Sequence, residues 1–291
     1  MKYYILFNPL AGCGSCKEKL ENLELEKENE RIFWNITEKS YDELFSLLEN
    51  EDKLVLCGGD GTINRFLNDI EDKKLENELL YFAAGSGNDF MNDINIKPSS
   101  KPIVLNSYIK NLPVLSVNGK EYKILNGAGL GVDGYVCSEM SRKRNLTNKK
   151  VSYIPVAFNA LFKQYTPTTA TVTTDGETNT YKKVWLASTM KGRFFGGGMM
   201  IAPDQNRFDD AGLITSIVGH NLSKFKILCL FLLIFGGKHT KYKKHVAIKK
   251  CKEVMVEFDR PCILQLDGET IPDVTSYSVS IKQLVLDNSL V

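Results

Sequence analysis

The sequence lacks several features that define other classes of protein. Its 291 residues carry a formal net charge of only +2, which gives no general attraction to nucleic acid. No apolar run reaches the roughly 20 residues of a membrane-spanning helix, and the apolar part of the N-terminal MKYYILFNP is too short for a signal peptide. Seven cysteines, an odd number at irregular spacing, do not suggest a disulfide framework. We therefore expect a cytoplasmic protein.

The residues that are present suit a large folded core. Hydrophobic residues make up 43% of the chain and charged residues 25%, a composition typical of globular domains. The length favours two domains, or one large α/β unit with an extension. One C-x-x-C pair, Cys13 and Cys16, has no second pair to complete a zinc site, and two reduced thiols are the simpler interpretation.

The most informative stretch is residues 53 to 64, KLVLCGGDGTIN. A short apolar run typical of a buried strand ends at a glycine turn, and a sequence of helical period follows. Glycines allow backbone N–H groups at a helix N-terminus to approach a phosphate closely. Asp60 within the turn would repel a phosphate unless a cation lay between them, which suggests a metal-bound nucleotide. A plain strand-to-helix turn is the alternative.

Two further glycine turns strengthen the first interpretation. Asn8 to Gly14 follows a predicted strand at residues 2–7, and Gly85 to Phe90 follows one at residues 79–84. Strands alternate with helices in this part of the chain, which predicts a parallel sheet whose ligand sites lie at the strand C-termini.

The pattern changes after about residue 100. Many short strand-like segments follow, among them 181–189, 254–258 and 263–266. Turn signals such as Asn118-Gly119 and Asp267-Gly268 separate many of them. We predict an α/β nucleotide-binding domain at residues 1–112 and an antiparallel β-sandwich at residues 113–275. The second domain should carry helical inserts at 134–163 and 221–236.

Six motifs in series resemble those of the diacylglycerol kinase catalytic-domain family, in its soluble bacterial lipid-kinase branch. They are Asn8-Pro9-x-x-Gly12, Gly58-Gly59-Asp60-Gly61-Thr62-x-Asn64, Gly85-Ser86-Gly87-Asn88-Asp89-Phe90, Asn126-x-x-Gly129-x-Gly131-x-Asp133, Gly196-Gly197-Gly198-Met199-x-Ile201-Ala202-Pro203 and Leu266-Asp267-Gly268-Glu269. The resemblance covers almost the whole chain. The GGDGT turn alone is shared with NAD kinases and phosphofructokinases.

The resemblance implies a phosphofructokinase- and NAD-kinase-like first domain, a β-sandwich second domain, and a last segment, 276–291, that returns to the first. It implies ATP and Mg²⁺ as cofactors and a lipid hydroxyl as acceptor. The residues expected at the nucleotide are Asn8, Pro9, Leu10, Ala11, Gly12, Thr37, Gly58, Gly59, Asp60, Gly61, Thr62, Ile63, Asn64, Ser86 and Asn88. Asp60 and Asp89 would hold Mg²⁺, with Asp210 as a candidate ligand of a structural ion. Glu269 would accept the acceptor's proton, with Asp267 beside it, although Asp267-Gly268 is also a strong hairpin signal.

Several positions depart from the family's pattern. Ala11 replaces a usual serine in the first loop, and Arg65 reverses the charge of a common glutamate. An aspartate often found before the Asn126 motif is missing, with Pro113 or a neighbour in its place. These departures keep open a non-catalytic nucleotide-binding regulator, and a kinase of a soluble acceptor such as NAD is the other alternative.

Two segments predict a membrane surface as partner. Residues 224–235, KFKILCLFLLIF, form the most apolar segment, and residues 238–252 hold seven lysines and no acid. The segment is either a core helix or an element that enters a membrane interface, where the lysines would attract anionic lipid. Phe194, Phe195, Met199 and Met200 would line an acyl-chain entrance or be buried in the sandwich. We therefore expect peripheral membrane association and no nucleic acid partner, and we leave a homodimer open.

Overall fold

The first part of the chain, residues 2–109, forms a five-stranded sheet with helices on it. The computed structural model describes residues 1–281 except 10–14, 27, 71, 72, 74, 86, 148–150, 152, 162–164 and 210. The elements of the first part are β1 (Lys2–Phe7), α1 (Ser15–Leu20), β2 (Glu30–Asn35), α2 (Tyr41–Leu47), β3 (Lys53–Gly58), α3 (Asp60–Asp69), β4 (Glu78–Ala83), α4 (Asp89–Asp93), β5 (Ile103–Val104) and α5 (Asn106–Ile109).

The order of this sheet is β2-β1-β3-β4-β5. Strands β1 to β4 pair in parallel, and only β5 runs antiparallel to its neighbour β4. Apart from their first residues, Lys53 and Glu78, strands β3 and β4 are apolar, as is typical where helices cover both faces of a parallel sheet. The predicted parallel sheet is confirmed, with the glycine turns after β3 and β4 at the same edge.

The second part of the chain forms a ten-stranded antiparallel sheet. Its elements are β6 (Val114–Val117), β7 (Lys120–Lys123), β8 (Gly127–Gly131), α6 (Val132–Thr147), α7 (Tyr153–Asn159), β9 (Thr168–Thr174), β10 (Glu177–Val184), β11 (Leu186–Met190), β12 (Ile214–Gly219), α8 (Lys224–Ile234), a 3-10 helix (Lys238–Lys241), β13 (Val246–Cys251), β14 (Glu253–Leu266) and β15 (Glu269–Ser280). The main order is β13-β12-β11-β8-β14-β15-β6-β7, and β9 joins β14 and β10.

Strand β14 gives the sheet its shape. The sequence predicted two strands, 254–258 and 263–266, and the structure joins them into one 14-residue strand with register shifts after Glu257 and Cys262. Its first half pairs with β9 and its second half with β8. Bulges bend a strand and increase its twist, so the two halves of β14 serve different parts of the sheet.

Two expectations about strands were wrong in detail. The predicted strand 181–189 is two strands, β10 and β11, with a register shift beside Lys183, whose φ is +52°. Strand β8 was not predicted because its sequence, GAGLG, has the composition of a turn. A Cβ at Gly127 would lie 2.4 Å from the Met190 sulfur, and one at Gly131 would lie 2.4 Å from the Trp185 carbonyl oxygen. These close approaches to β11 and to the residue just before it explain the glycines.

The antiparallel part of the chain has apolar clusters on both sides. One lies within the folded sheet and includes Leu115, Val172 and Tyr277. The other packs α6, α7 and α8 against the sheet and includes Val136, Leu161 and Ile227. Among the described residues, no helix is long and apolar enough to cross a membrane.

The predicted domain limits stay a prediction. The sheets change between α5 and β6, and residues 276–280 belong to β15, which pairs with β14 and β6. Residues 282–291, most of the segment expected to return to the first domain, lie outside the described part of the chain.

Candidate active site between the two sheets

The glycine turns after β3 and β4 pack directly against each other. The Gly85 amide donates to the Gly58 carbonyl at 2.8 Å, and the Asp60 amide donates to the Gly87 carbonyl at 3.2 Å. A Cβ on Gly85 would lie 2.4 Å from the backbone of Gly59. The glycines are therefore required for the contact between the turns, in addition to any approach to a phosphate. At Gly61 no atom lies within 4 Å of an added Cβ, so this edge of the turn is open.

Asp60 begins α3 and is buried. Its Oδ2 accepts hydrogen bonds from the Phe90 amide and from Asn126 Nδ2, both at 3.0 Å. Its Oδ1 is buried and has no partner in the described part of the chain. Burial raises the pKa of Asp60 to about 7, and the nearby Asp89 and Asp267 carboxylates add to the shift while the Phe90 amide opposes it. A buried carboxylate with an open oxygen suits a cation.

Asp89 begins α4 and reaches the glycine triplet of the second part of the chain. Its Oδ1 accepts a hydrogen bond from the Gly198 amide at 3.0 Å. Burial raises the pKa of Asp89, against the effect of the Gly198 and Gly196 amides. The preceding Asn88 has a buried Oδ1 without a partner among the described residues. Asp60, Asn88 and Asp89 thus present acceptor oxygens along the edge formed by the glycine turns.

Asp267 is surrounded by donors. Its Oδ1 accepts from the amides of Asn126 at 2.7 Å and Gly127 at 2.9 Å, and its Oδ2 accepts from the Leu125 amide at 2.7 Å and Asn64 Nδ2 at 2.6 Å. A carboxylate has about four lone-pair sites, so these four donors occupy all of the acceptor positions of Asp267. Burial raises the pKa of Asp267, and the three amides lower it. The contacts give Asp267 a positioning role between α3, β8 and the β14–β15 hairpin.

Glu269 lies two residues further on and has a different environment. It is exposed, and its Oε1 accepts from Arg65 Nη2 at 2.5 Å. The charge reversal noted at position 65 therefore places a cation beside the predicted base. Glu269 is on the second part of the chain and Arg65 is on α3, so this ion pair crosses the cleft between the sheets.

A buried ionic network behind the site was not predicted. The Arg207 guanidinium donates to Asp93 Oδ2, the Leu125 carbonyl and Asn126 Oδ1, each at 2.7 Å, and lies over the Phe90 ring. Arg193 Nε donates to the other oxygen of Asp93 at 2.9 Å. Asn126 thus joins Arg207 to Asp60. The Asn126 motif was a signal for the asparagine, but nothing in the local sequence marks Arg207 or Asp93.

The remaining predicted residues have varied surroundings. Asn64 is buried and donates to the Lys123 carbonyl at 3.1 Å as well as to Asp267. The Ile63 side chain is in the core, so only its backbone is available to a ligand. Thr37 follows β2 and donates from both its amide and its hydroxyl to Asn35 Oδ1. Asn8 and Pro9 follow β1, and Thr62 lies in the first turn of α3. Outside the described residues are Leu10, Ala11, Gly12, Ser86 and Asp210.

The described residues fit part of a magnesium site. They contain no group of three or more histidine, cysteine, aspartate or glutamate side chains that could hold a metal. The open Asp60 Oδ1 and the neighbouring Asp89 carboxylate could supply two oxygens. Mg²⁺ is commonly held by one or two carboxylates, with phosphate oxygens and water completing its shell. The donor set therefore suits a nucleotide-bound Mg²⁺ better than an ion held by protein alone.

An apolar cavity lies behind the glycine triplet. It has an empty volume of about 690 Å³, including its part open to solvent, and it lies between the sheet and helices α6, α7 and α8. Phe195 and Met199, which were expected either at an acyl-chain entrance or buried in the sandwich, are both buried and line it. Gly198 lies between these two residues in the chain, and its amide donates a hydrogen bond to Asp89. The glycine-triplet segment therefore borders both the cavity and the polar site.

Two polar side chains line this cavity. Asp133 Oδ2 accepts from the Ser188 hydroxyl at 3.2 Å, whereas its Oδ1 is buried and has no partner within the described ranges. His239 is also buried, with Nε2 2.9 Å from the Ile201 carbonyl and Nδ1 unpartnered among the described residues. Burial lowers the pKa of His239, which makes its neutral form the one that donates to Ile201. The cavity therefore combines apolar walls with an open acceptor.

The parallel sheet and the antiparallel sheet, with the glycine turns between them, form the NAD-kinase-like fold that solved diacylglycerol kinase and NADH kinase structures also have. Residues 127–285 match the YegS C-terminal NAD kinase beta sandwich-like domain, and residues 2–114 match the diacylglycerol kinase catalytic domain. The chain belongs to the diacylglycerol kinase family built from these two domains. Membership in a kinase family implies ATP as the phosphate donor.

Individual relatives are distant. A diacylglycerol kinase of Staphylococcus saprophyticus is 25% identical over 288 residues, which are 96% of this chain and 92% of that protein. The crystal structure of a diacylglycerol kinase from Bacillus anthracis is 17% identical and superposes with a TM-score of 0.62 over 96% of this chain and 93% of that one. The crystal structure of yeast NADH kinase complexed with NADH is 10% identical and superposes with a TM-score of 0.50. The superposition covers 97% of this chain and 79% of that one. The two structures show the shared fold.

Proposed function

We propose that the protein transfers the γ-phosphate of ATP to a hydroxyl group of diacylglycerol or a related lipid. The observation that carries this proposal is the apolar cavity beside the candidate active site. Phosphoryl transfer between two water-soluble substrates needs no apolar cavity next to the site, whereas an acyl chain must be removed from water when its headgroup reacts. The names of the relatives are compatible with this acceptor.

The described residues suggest how the substrates would be held. The open edge at Gly61 and the N-terminus of α3 would face the phosphates. Asp60 and Asp89 would hold Mg²⁺, which in such reactions bridges phosphate oxygens and neutralises their charge. The open Asp133 Oδ1 would accept a hydrogen bond from a polar group of the lipid.

Glu269 would act at the acceptor. The hydroxyl oxygen forms a new bond to the γ-phosphorus, the bond from this phosphorus to the bridging oxygen breaks, and ADP leaves with the electron pair. The hydroxyl proton passes to the Glu269 carboxylate. The ion pair with Arg65 engages Oε1 of Glu269 and so orients the carboxylate. Asp267 fixes the hairpin that carries Glu269 and takes no part in proton transfer.

The test is transfer of labelled γ-phosphate from Mg·ATP into a fractionated lipid extract in mixed micelles. We expect one labelled lipid class with the wild type, and a loss of about a hundredfold or more with Glu269→Gln because a general base is removed. Glu257→Gln, an exposed glutamate on β14, is the matched control and should label as the wild type does.

Two results would contradict the proposal. Labelling of NAD in preference to any lipid would favour the soluble-acceptor kinase, which the likeness to NADH kinase makes the first alternative. ATP binding without transfer to either acceptor would favour a regulator, in which the Arg65–Glu269 ion pair would have only a structural role.

A further inference from the structure

Helix α8 has two apolar faces, and only one of them is packed. Ile227, Leu230 and Ile234 are buried and line the cavity. On the opposite side Phe225 is 71% exposed and Leu232 is 67% exposed, with Phe235 38% exposed just after the helix. Leu232 follows Phe225 by seven positions and Phe235 follows Leu232 by three. These spacings place the three residues along one side of a helix.

The helix is too short to span a bilayer and too apolar for an ordinary surface helix. Its 11 residues extend about 16 Å, roughly half of the hydrocarbon thickness of a membrane. A helix that is apolar all round is normally enclosed by protein or lipid. Because the inner face of α8 is packed and its outer face is open, the helix is suited to lie in an interface with its outer face against lipid.

Positive charge lies beside the start of this outer face. Residues 224–244 contain six lysines and no acid. Lys226 Nζ lies 3.3 Å from His245 Nε2, which brings the start of α8 next to the lysine-rich loop after the 3-10 helix. Lys241, Lys243 and Lys244 in this region are exposed, and Tyr242 between them is 49% exposed. An apolar stripe bordered by lysines and an aromatic residue is complementary to an anionic bilayer surface.

We propose that α8 is the membrane-docking element, with Phe225, Leu232 and Phe235 inserted among the lipids of an anionic leaflet. The lysines of residues 238–244 contact lipid phosphates, and the cavity on the inner face of α8 is thereby held next to the bilayer. The inference that this surface brings the cavity to a lipid substrate rests on the proposed function. The docking itself needs no ATP and no turnover, so it can fail or succeed independently of the kinase activity.

The first experiment measures flotation of the full chain with vesicles in the absence of nucleotide. We expect binding to phosphatidylcholine vesicles that contain 30% phosphatidylglycerol, and at least tenfold weaker binding to pure phosphatidylcholine. The double variant Phe225→Ser/Leu232→Ser should reduce the partition coefficient at least tenfold. Phe33→Ser changes another exposed phenylalanine, on β2, and should leave binding unchanged. Absence of wild-type binding, or equal binding by the double variant, would overturn the proposal.

A second variant separates the charge from the apolar stripe. Lys241→Gln/Lys243→Gln/Lys244→Gln should lower binding at least fivefold at low salt and less at high salt, because salt screens the attraction. The control triple variant changes three exposed lysines outside this surface, Lys97, Lys110 and Lys120. If the two triple variants bind equally, the lysine-rich loop has no role and the proposal fails in that part.

The depth of insertion can be read at Cys229. Cys229 is the one exposed cysteine among the described residues and belongs to α8. A polarity-sensitive fluorophore on it, in a Cys13→Ser background, should shift to the blue on vesicle binding and be quenched by brominated acyl chains. Binding without quenching would place another face on the membrane. A dimer that is lost in Phe225→Ser/Leu232→Ser, together with no quenching, would assign the stripe to a second copy of the chain.

Discussion

The cleft between the sheets and the cavity behind α8 are built on opposite principles. In the cleft a dense polar network provides four donors around Asp267 and three acceptors around Arg207. Only the edge formed by the glycine turns keeps open oxygens among the described residues, on Asp60 and Asn88. In the cavity the walls are apolar, and Asp133 and His239 each keep a buried atom without a partner among the described residues. A dense polar network fixes the geometry of the residues in it, whereas dispersion contacts tolerate ligands of varied length.

This difference corresponds to the two substrates that we propose. Phosphoryl transfer requires positioned phosphates, so rigid turns and a locked hairpin are useful on that side. A lipid acceptor varies in its chains, so an adaptable pocket is useful on the other. The segment that carries Gly198 and Met199 borders both regions, so a shift of this segment would affect both the cleft and the cavity.

Removal of the Asp267 carboxylate should have the largest effect. Asp267→Ala leaves three amides and Asn64 Nδ2 without their acceptor, and we expect it to lower the free energy of unfolding by about 4 kcal/mol. Urea denaturation measures this change. Asp273→Ala is the matched control, because Asp273 also has a positive φ, +55° against +47°, but is exposed. Equal losses in the two variants would show that backbone conformation, and not the donor set, explains the effect.

The cavity carboxylate should make stability depend on pH. Burial raises the pKa of Asp133 to about 6 from an ordinary value near 3.8. Between about pH 4 and pH 6 the folded state therefore binds more protons than the unfolded state, so its stability falls as the pH rises through this window. The full change is about 3 kcal/mol. Asp133→Asn should remove it.

The measurement is the difference in unfolding free energy between wild type and Asp133→Asn across this range. The variant should be the more stable protein at pH 7, with the advantage disappearing towards pH 4. Asp60, whose pKa burial also raises, titrates in both proteins and cancels in the difference. Parallel curves at every pH would mean that Asp133 is solvated.

The smallest expected effect is that of the ion pair across the cleft. Arg65 and Glu269 are both more than half exposed, so their coupling should be below 1 kcal/mol, as is usual for surface pairs. A double-mutant cycle with Arg65→Gln and Glu269→Gln measures this coupling in the unfolding free energy. A coupling of several kcal/mol would indicate a cleft that excludes water even without substrates.

Regular elements with a clear period were predictable from sequence. The parallel strands and the turns after them follow from apolar runs and glycines that act locally. The helical segment around α8 was also located, and its ambiguity between core and interface is explained by the structure, since one face is buried and the other is exposed.

Long-range contacts were not predictable in the same way. Strand β8 has the composition of a turn, and its extended form depends on pairing with β11 and β14. Arg207 and Asp93 are 114 residues apart and form a buried pair that no local pattern marks. For Asp267, the sequence indicated a site residue, whereas its role as an acceptor for four donors requires knowledge of which amides surround it.

The central claim, that the apolar cavity receives the acyl chain of the acceptor, is tested most directly by chain length. We would measure kcat/KM of phosphate transfer for acceptors of increasing acyl length, with the wild type and with Ala157→Leu, which fills part of the cavity. The account predicts that kcat/KM rises with each added methylene, because each buried CH₂ contributes about 0.8 kcal/mol, and that the variant reaches its plateau at shorter chains with KM for ATP unchanged. A kcat/KM that is independent of chain length in both proteins would contradict it.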